Sequence, residues 1–369
     1  MHDAVVIGAG QSGLAVSRYL VQRGIEHIVL DANGAPGGAW QHAWPSLRLF
    51  SPGEASSLPG MLIPQLGEDY PSRAEVIDYL RSYEQRYALP VQRPVRVQQV
   101  RPARPSSALG FQLDVSSGPA LTARTVVSAT GTWSAPFVPY YPGRFSFTGR
   151  QIHSAQYAGP EEWRGLRVGV VGAANSAAQI AAELALDGED IHLHWFTAHP
   201  PRWLADDVDG RDLFVRATQR LREQHGDMQD AEPSRTLHGD IVMVPPVREA
   251  RDRGLLTAEP VFDRIVESGV ERDGKIIGLD TLVWATGFRP ALGHLAGWGI
   301  RPGEGAIRPL PGEESPWATR SAVHPGLFLV GYGDWTGAAS ATLVGVGRTA
   351  RWTARAIERT LHDAHPPSV

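Results

Sequence analysis

The sequence predicts an α/β fold with two Rossmann-like dinucleotide-binding domains, the second inserted into the first. One reason is the apolar run Val5–Ile7, followed at once by Gly8-x-Gly10-x-x-Gly13. This is the strand, turn and helix order of a nucleotide-binding unit. Another reason is that the same order restarts at Leu166–Gly172. The length of 369 residues also suits roughly two domains.

Each glycine of the first loop has a separate physical task. Gly8 makes the tight turn, Gly10 lets the backbone approach a pyrophosphate, and Gly13 lets the helix at 14–22 pack closely on the strand. A second strand at 27–30 ends in Asp31, whose carboxylate can accept hydrogen bonds from a ribose 2′-hydroxyl. The alternative is a glycine-rich turn between packed elements.

Trp40 follows the glycine pair Gly37 and Gly38. It is either an ordinary core aromatic or the wall of a site for a flat ring system, because glycines permit close approach. The segment 72–86 then predicts a helix, since Ser72 and Glu75 have the spacing of a capping box.

Strands are expected at 91–100, 111–115 and 121–129, and the last runs into Ala129-Thr130-Gly131. Small residues at a strand end bring the backbone close to a bound nucleotide, or they simply end the strand in a turn. The proline-, glycine- and aromatic-rich segment 132–160 has the composition of an extended linker.

The second nucleotide-binding unit departs from the first. Its loop begins at Gly172, and Ala174 and Ala177 stand where the second and third glycines would be. Alanine is accepted at the helix-packing position, whereas the methyl group of Ala174 stands where a pyrophosphate would approach. A helix at 175–186 and a strand at 191–196 complete the unit.

No acidic residue ends the second strand of this unit. Thr197, His199 and Arg202 occupy the region, which suits a 2′-phosphate and therefore NADP over NAD. A structural salt bridge is the alternative for Arg202.

The rest of the chain contains a charged helical insertion at 206–232 and a strand at 281–284 that ends in a second Ala-Thr-Gly, with Thr286 and Gly287. The last strand, at 327–330, leads into Gly331-Tyr332-Gly333-Asp334 and a helix at 342–360. A carboxylate such as Asp334 after a buried strand can hold a polyol chain, or it can cap a helix.

Composition narrows the possible partners and chemistry. The formal charge of −4 argues against nucleic acid or an anionic membrane as the main partner, and no apolar stretch is long enough to span a bilayer. Because the chain has no cysteine, a thiol redox pair is excluded and electrons must pass through a cofactor. His192 and His194 predict no metal site, and Ser176 lacks the surroundings of a nucleophile. The first strand begins near Met1, so we expect a cytoplasmic protein.

Together these pieces resemble the class B flavin-dependent monooxygenases. Phe147-x-Gly149-x-x-x-His153-x-x-x-Tyr157 looks like the fingerprint of that class, just before the second nucleotide loop. The Gly37–Trp40 segment looks like its flavin-side motif, and Gly333-Asp334 is similar to the motif whose aspartate binds FAD. The segments 206–210, 241–246 and 331–337 look closest to the arsenic-operon branch.

The resemblance implies an FAD-binding domain at 1–160 and 289–369, and an NADPH-binding domain at 161–288. It implies that His153 belongs to the linker between the domains and is neither an acid nor a base. The residues assigned to FAD are Gly8, Gly10, Gln11, Ser12, Gly13, Asp31, Gly38, Trp40, Val95, Thr130, Gly131 and Asp334. The residues assigned to NADPH are Gly172, Asn175, Ser176, Thr197, Arg202, Thr286 and Gly287.

The implied activity is an NADPH- and O₂-dependent monooxygenation. NADPH reduces FAD, O₂ adds at the flavin C4a, and the resulting hydroperoxide passes one oxygen to a small soft nucleophile (S, N or As) or a ketone. No metal and no catalytic side chain is required, because the flavin carries the chemistry. The alternatives are an NADPH oxidase or quinone reductase on the same fold, or a non-catalytic flavin redox sensor.

Overall fold

The computed structural model describes residues 1–64, 70–103, 110–188, 190–212, 214–215, 240–303, 305–308, 315, 317–337 and 339–363. Most of the helical insertion expected at 206–232 lies outside these residues. The strands are β1 His2–Ile7, β2 His27–Leu30, β3 Val91–Gln92, β4 Val97–Pro102, β5 Phe111–Val115, β6 Leu121–Ser128, β7 Arg150–His153, β8 Arg167–Val171, β9 His192–Thr197, β10 Arg202–Trp203, β11 Asp240–Ile241, β12 Ala258–Pro260, β13 Arg264–Val266, β14 Gly269–Arg272, β15 Lys275–Gly278, β16 Thr281–Trp284 and β17 Leu327–Leu329. The helices are α1 Gln11–Gln22, α2 Arg73–Arg86, α3 Asn175–Asp187, α4 Pro245–Asp252 and α5 Val346–Asp363.

The first sheet has a parallel centre and an antiparallel flank. Strands β3, β2, β1 and β6 follow one another in parallel, and β17 runs parallel beside the end of β6. Strands β5 and β4 extend the sheet antiparallel from β6. The parallel strands therefore end at one edge, which is where open α/β sheets bind their ligands.

Helices α1, α2 and α5 cover one face of this sheet. Their buried apolar side chains form one core cluster with the strands, including Leu14, Val76 and Ile357. The predicted capping box is present, because Ser72 Oγ accepts the Glu75 N–H and the Glu75 carboxylate accepts the Ser72 N–H. Local sequence thus sets where α2 begins, and burial of its apolar side holds it on the sheet.

The second sheet is entirely parallel, in the order β12, β9, β8, β16 and β7. Helices α3 and α4 pack on one face of it through Ala178, Ile180 and Val247. The small antiparallel sheet of β13, β14 and β15 closes the other face. The expected α/β fold with two dinucleotide-binding units is therefore confirmed.

Two expected segments differ in the structure. The strand expected at 91–100 is split into β3 and β4 around the Arg93–Pro94 peptide, because proline has no N–H for the ladder. The segment 132–160 is not linker throughout, since β7 pairs with β16 at the edge of the second sheet. The second sheet thus draws a strand from before residue 161. Among the described residues, no helix has the length and apolar character needed to cross a bilayer.

Candidate active site

A cavity of about 1350 Å³ lies where residues of both domains meet. Sites for a single small ligand typically measure about 300–1000 Å³, so this cavity has room for an extended dinucleotide and a further ligand. The residues predicted for binding that line it are Gly8, Gly10, Gln11, Ser12, Asp31, Gly38, Trp40, Val95, Thr130, Gly131, Asn175, Ser176 and Asp334. The predicted residues outside its lining are Gly13, Phe147, Gly149, His153, Tyr157, Gly172, Thr197, Arg202, Thr286 and Gly287.

The three glycines of the first loop have different surroundings. A Cβ on Gly8, where φ is +100°, would lie 2.6 Å from the carbonyl oxygen of Ala129, and a Cβ on Gly13 would lie 1.8 Å from that of Gly8. Around Gly10 the nearest atom to a Cβ would be the Cα of Gly38, at 3.9 Å. Gly8 and Gly13 are therefore required by packing, whereas Gly10 leaves open space on the cavity side.

Trp40 lies across this loop. Gly38 has φ +54°, and a Cβ on it would lie 2.7 Å from the Cα of Gly10, so the two backbones touch. The Trp40 indole is partly buried against the core and also lines the cavity. Its N–H lies 3.5 Å from the Gln11 side-chain oxygen. The Arg73 guanidinium donates to the Trp40 carbonyl at 2.9 Å, an anchor that sequence reasoning missed.

Asp31 is oriented by an ion-pair network that the sequence did not reveal. The Arg93 Nε donates to the Asp31 carboxylate at 3.0 Å, and the same guanidinium makes two bonds to Glu84 at 2.6 and 2.7 Å. Burial lowers the pKa of Arg93, but these bonds to Glu84 and Asp31 outweigh it and raise that pKa overall. The Asp31 carboxylate is only 5 % exposed and lines the cavity with its position fixed.

The C-terminal motif forms a tight turn against the start of α1. A Cβ on Gly331 would lie 2.1 Å from the hydroxyl oxygen of Ser12, so this turn and α1 are in contact. Gly333 has φ +94°, and its carbonyl accepts the Thr336 hydroxyl at 2.9 Å. The cap residue of the following 3₁₀ turn is Gly333, so Asp334 is not its cap. Asp334 instead lines the cavity.

The second nucleotide loop repeats the contact of the first. A Cβ on Gly172 would lie 2.4 Å from the carbonyl oxygen of Ala285, the alanine of the second Ala-Thr-Gly. Ala174 lines the cavity. The Asn175 side chain donates to the Asp240 carbonyl and accepts the Val242 N–H, both at 2.9 Å. This amide holds β11 and the chain after it on the first turn of α3.

Arg202 forms an ion pair with another residue of the chain. Strands β10 and β11 place it directly opposite Asp240, and its Nε lies 2.8 Å from that carboxylate. The salt bridge that was the alternative for Arg202 is therefore present, with the arginine side chain still 54 % exposed. Thr197 is buried at the end of β9. His194 pairs with Glu259 at 2.8 Å, and the described residues contain no cluster of acidic and histidine side chains able to hold a metal ion.

The first half of the fingerprint is a packing unit. A Cβ on Gly149 would lie 2.3 Å from the Phe147 ring and 2.5 Å from the carbonyl oxygen of Asp280. Only glycine therefore lets the chain pass between this ring and the start of β16. The Phe147 ring is buried in the aromatic cluster beside the second sheet.

His153 connects this unit to the second Ala-Thr-Gly. Its Nε2 lies 2.9 Å from the Gly287 carbonyl, and its Nδ1 accepts the Ala155 N–H at 3.1 Å. Because a carbonyl only accepts, the proton must be on Nε2. Burial lowers the pKa of His153, so the ring is neutral and holds backbone.

Tyr157 packs between the two domains. Its ring meets Trp44 of the first domain edge-on at 6.0 Å and lies parallel to Trp163 at 6.3 Å. Burial raises the pKa of the Tyr157 hydroxyl and of the neighbouring Glu183 carboxyl. The Glu183 carboxylate accepts the hydroxyl of Ser46 from the first domain at 2.6 Å.

The segments 131–137 and 287–291 run between the domains and are hydrogen-bonded to each other. The Phe137 N–H donates to Gly287 at 2.9 Å, and the Ala291 N–H donates to Gly131 at 2.9 Å. Trp133 and Phe288, one from each segment, stack at 5.1 Å and line the cavity. The crossing segments thus form part of the cavity wall.

Two phenylalanines from distant parts of the sequence also line the cavity. Phe50 and Phe214 line it, and Gly210 is held beside them by its N–H bond to the Phe50 carbonyl at 2.8 Å. The Arg348 guanidinium lies 5.0 Å from both the Phe214 and the Trp317 rings. None of these aromatic residues was singled out in the sequence, because a lone phenylalanine carries no local motif.

Comparisons with known proteins agree with this geometry. The family model for pyridine nucleotide-disulphide oxidoreductases matches residues 5–209. The structure of a flavin-containing monooxygenase from Stenotrophomonas maltophilia is 44% identical, with a TM-score of 0.84, over 97% of this chain and 99% of that one. The uncharacterized oxidoreductase CzcO of Bacillus subtilis (strain 168) is 27% identical over 95% of this chain and 98% of its own length. OTEMO, solved in complex with FAD and NADP, shares the fold at 18% identity and a TM-score of 0.65, over 97% of this chain and 84% of that one.

Proposed function

Because this chain belongs to the class B flavin monooxygenases within the pyridine nucleotide-disulphide oxidoreductase family, we propose that it is an FAD-dependent monooxygenase that consumes NADPH and O₂. The observation that carries the proposal is the single cavity that reaches both the first loop, at Gly10, and the second loop, at Ala174 and Asn175. Two dinucleotides bound at these loops would meet inside one cavity. When bound, FAD supplies hydride acceptance and the activation of O₂.

The first loop fits a pyrophosphate. The space beside Gly10 is open, and the N–H groups at the start of α1 have no partners within the helix, which suits an anion there. Asp31, oriented by Arg93, would accept hydrogen bonds from the adenosine ribose. Trp40 and Asp334 would bound the flavin half of the molecule.

The second loop would take NADPH with its nicotinamide towards the flavin. Asn175 and Ser176 begin α3 on the cavity side, and Ala174 lines the cavity beside them. Arg202 would bind the 2′-phosphate, and to do so it must exchange part of its bond with Asp240. Charged hydrogen bonds of this kind are worth about 1.5–3 kcal/mol, which sets the scale of a preference for NADPH over NADH.

The substrate would bind beside the aromatic residues that line the cavity. Phe50, Phe214, Trp133 and Phe288 would keep water from it, and exclusion of water protects an activated oxygen species from side reactions. A small soft nucleophile containing sulfur, nitrogen or arsenic, or a ketone, would fit such a space.

Purified enzyme should hold FAD, and NADPH should bleach the flavin without oxygen present. Aerobic turnover should then be followed with a panel of sulfides, amines and ketones, with NADPH, H₂O₂ and oxygenated product all measured. Product formed in proportion to NADPH supports the proposal. Quantitative H₂O₂ with every substrate supports the oxidase or reductase alternative, and failure of NADPH to reduce the flavin supports the redox sensor.

A further inference from the structure

A buried histidine beside the first loop is not explained by any motif. His294 is 7 % exposed and lines the cavity from a 3₁₀ turn, Gly293–Leu295. Its Nε2 lies 2.9 Å from the hydroxyl oxygen of Ser128, the last residue of β6. Ser128 in turn contacts the hydroxyl of Tyr332, whose ring is fully buried.

The donor and acceptor of each hydrogen bond between Thr130 and His294 can be assigned by starting at Thr130. Thr130 Oγ1 lies 2.8 Å from the Ala291 carbonyl, which only accepts, so the threonine proton points there. Tyr332, at 2.7 Å, must therefore donate its proton to Thr130 Oγ1. The Tyr332 oxygen then accepts the Thr130 N–H at 3.2 Å and the Ser128 hydroxyl.

Once Ser128 has donated its only proton to Tyr332, its oxygen can only accept from His294. The proton of His294 must then be on Nε2. Burial lowers the pKa of His294 to about 4, so the ring is neutral near pH 7 and its Nδ1 carries no proton. Three side chains, Ser128, Tyr332 and Thr130, and the Ala291 carbonyl thus fix the tautomer of His294.

The unprotonated nitrogen is open to the cavity. Within the part of the chain that the structure describes, Nδ1 of His294 makes no hydrogen bond, and it is not among the fully buried polar atoms left unpaired. His294 is also one of the residues that line the cavity. A bare ring nitrogen accepts hydrogen bonds and repels other acceptors such as phosphate oxygens.

We infer that His294 is a cofactor-binding residue whose Nδ1 accepts a hydrogen bond from an N–H or O–H group of bound FAD, and that Ser128, Tyr332 and Thr130 hold its tautomer. The inference rests on the proposed use of FAD. It excludes the pyrophosphate as the partner of His294, since phosphate oxygens have no proton to donate. The donor is a hydroxyl, amine or imide N–H on either half of the cofactor.

The tautomer can be measured without activity. Histidine labelled with ¹⁵N, in apoprotein at neutral pH, should show His294 protonated at Nε2 in a two-bond ¹H–¹⁵N correlation, with His294→Phe identifying its signals. Adding FAD should shift the Nδ1 resonance towards that of a hydrogen-bonded nitrogen. The same shift with ADP alone would place the donor on the adenosine half, and a shift only with FAD would place it on the riboflavin half.

The relay itself is tested by Tyr332→Phe, which removes the hydroxyl that orders Ser128. The ring still fills its space, but the Ser128 proton is released, so His294 should populate both tautomers. This variant tests what sets the tautomer, whereas the response of Nδ1 to FAD tests contact with the cofactor. A proton on Nδ1 in wild-type apoprotein would overturn the inference, as would an Nδ1 signal unchanged by FAD.

Affinity gives an independent measurement. Quenching of FAD fluorescence by apoprotein should show about two- to tenfold weaker binding for His294→Phe, the scale of one hydrogen bond. His324→Phe is the matched control, because His324 packs against Phe111 and Trp298 and does not line the cavity. Wild-type protein without FAD affinity would refute the proposed function, whereas equal affinity of wild type and His294→Phe would refute only this inference.

Discussion

The first glycine loop allows cofactor binding to be separated from folding by substitution. Gly10→Val adds a side chain where the nearest protein atom to its Cβ is 3.9 Å away and φ is −78°, which valine adopts. Gly8→Ala forces φ +100° on a residue whose Cβ would lie 2.6 Å from the Ala129 carbonyl. The two glycines lie two residues apart, but Gly10→Val should lose FAD binding and keep its stability, whereas Gly8→Ala should lose stability.

The expected magnitudes differ by mechanism. Gly10→Val should change the free energy of unfolding of apoprotein by no more than about 1 kcal/mol, the scale of a change at a helix cap. It should weaken FAD binding by at least about 1.5–3 kcal/mol, or roughly ten- to hundredfold, because displaced phosphates lose charged hydrogen bonds. Gly8→Ala should cost about 1–3 kcal/mol of stability from backbone strain alone, before any overlap is counted.

The assay pairs urea unfolding of apoprotein with fluorescence titration of FAD. Gly34→Val is the control, because Gly34 is exposed, has no atom within 4 Å of its Cβ position and does not line the cavity. It should leave FAD binding unchanged. A Gly10→Val protein that retains stoichiometric FAD with wild-type affinity would show that the loop is only a structural turn.

Four further substitutions test the second domain and the contact between domains. Arg202→Ala should raise the KM for NADPH and so remove most of a ten- to hundredfold preference for NADPH over NADH. Asp240→Asn removes the charge that pairs with Arg202 and should strengthen that preference. Equal use of both nucleotides by the wild type would contradict the assignment of Arg202 to the 2′-phosphate. His153→Ala should keep FAD but divert NADPH to H₂O₂, measured as peroxide per NADPH, because the ring no longer holds Gly287; unchanged coupling would contradict this role. Burial raises the pKa of the Glu183 carboxyl above 4.5, so the stability that this group contributes is complete below pH 4.5 and is lost as the pH rises through the folded pKa. Glu183→Gln can still accept the Ser46 hydroxyl and should flatten this loss in a profile of melting temperature against pH. A variant profile identical to that of the wild type would refute this role of Glu183.

Local patterns predicted most of the fold. The capping box at Ser72 and the glycine spacings around Gly8 and Gly172 are short-range signals, and the structure has α2 and both loops where these signals stand. The strand β7 was missed because its segment is rich in proline, glycine and aromatic residues. Its pairing with β16 is a long-range contact that no local pattern encodes.

The candidate site was predictable only where it has motifs. Gly8, Gly10, Trp40 and Asp334 stand in recognisable patterns and line the cavity. Arg93 and His294 carry no such pattern, since each reaches the site from a distant part of the chain. Arg202 shows the opposite case, because its sequence position suggested a phosphate ligand and could not reveal that Asp240 lies opposite it.

A monooxygenase transfers one atom of O₂ to its substrate, and we expect this protein to do so. Turnover with ¹⁸O₂, NADPH and a sulfide accepted in the panel should give product carrying one ¹⁸O atom, in a yield matching the NADPH consumed. The reverse experiment, with ¹⁶O₂ in H₂¹⁸O, should leave the product unlabelled. Product that carries oxygen from water would contradict monooxygenase activity. Recovery of all reducing equivalents as H₂O₂, with no labelled product from any substrate, would also contradict it.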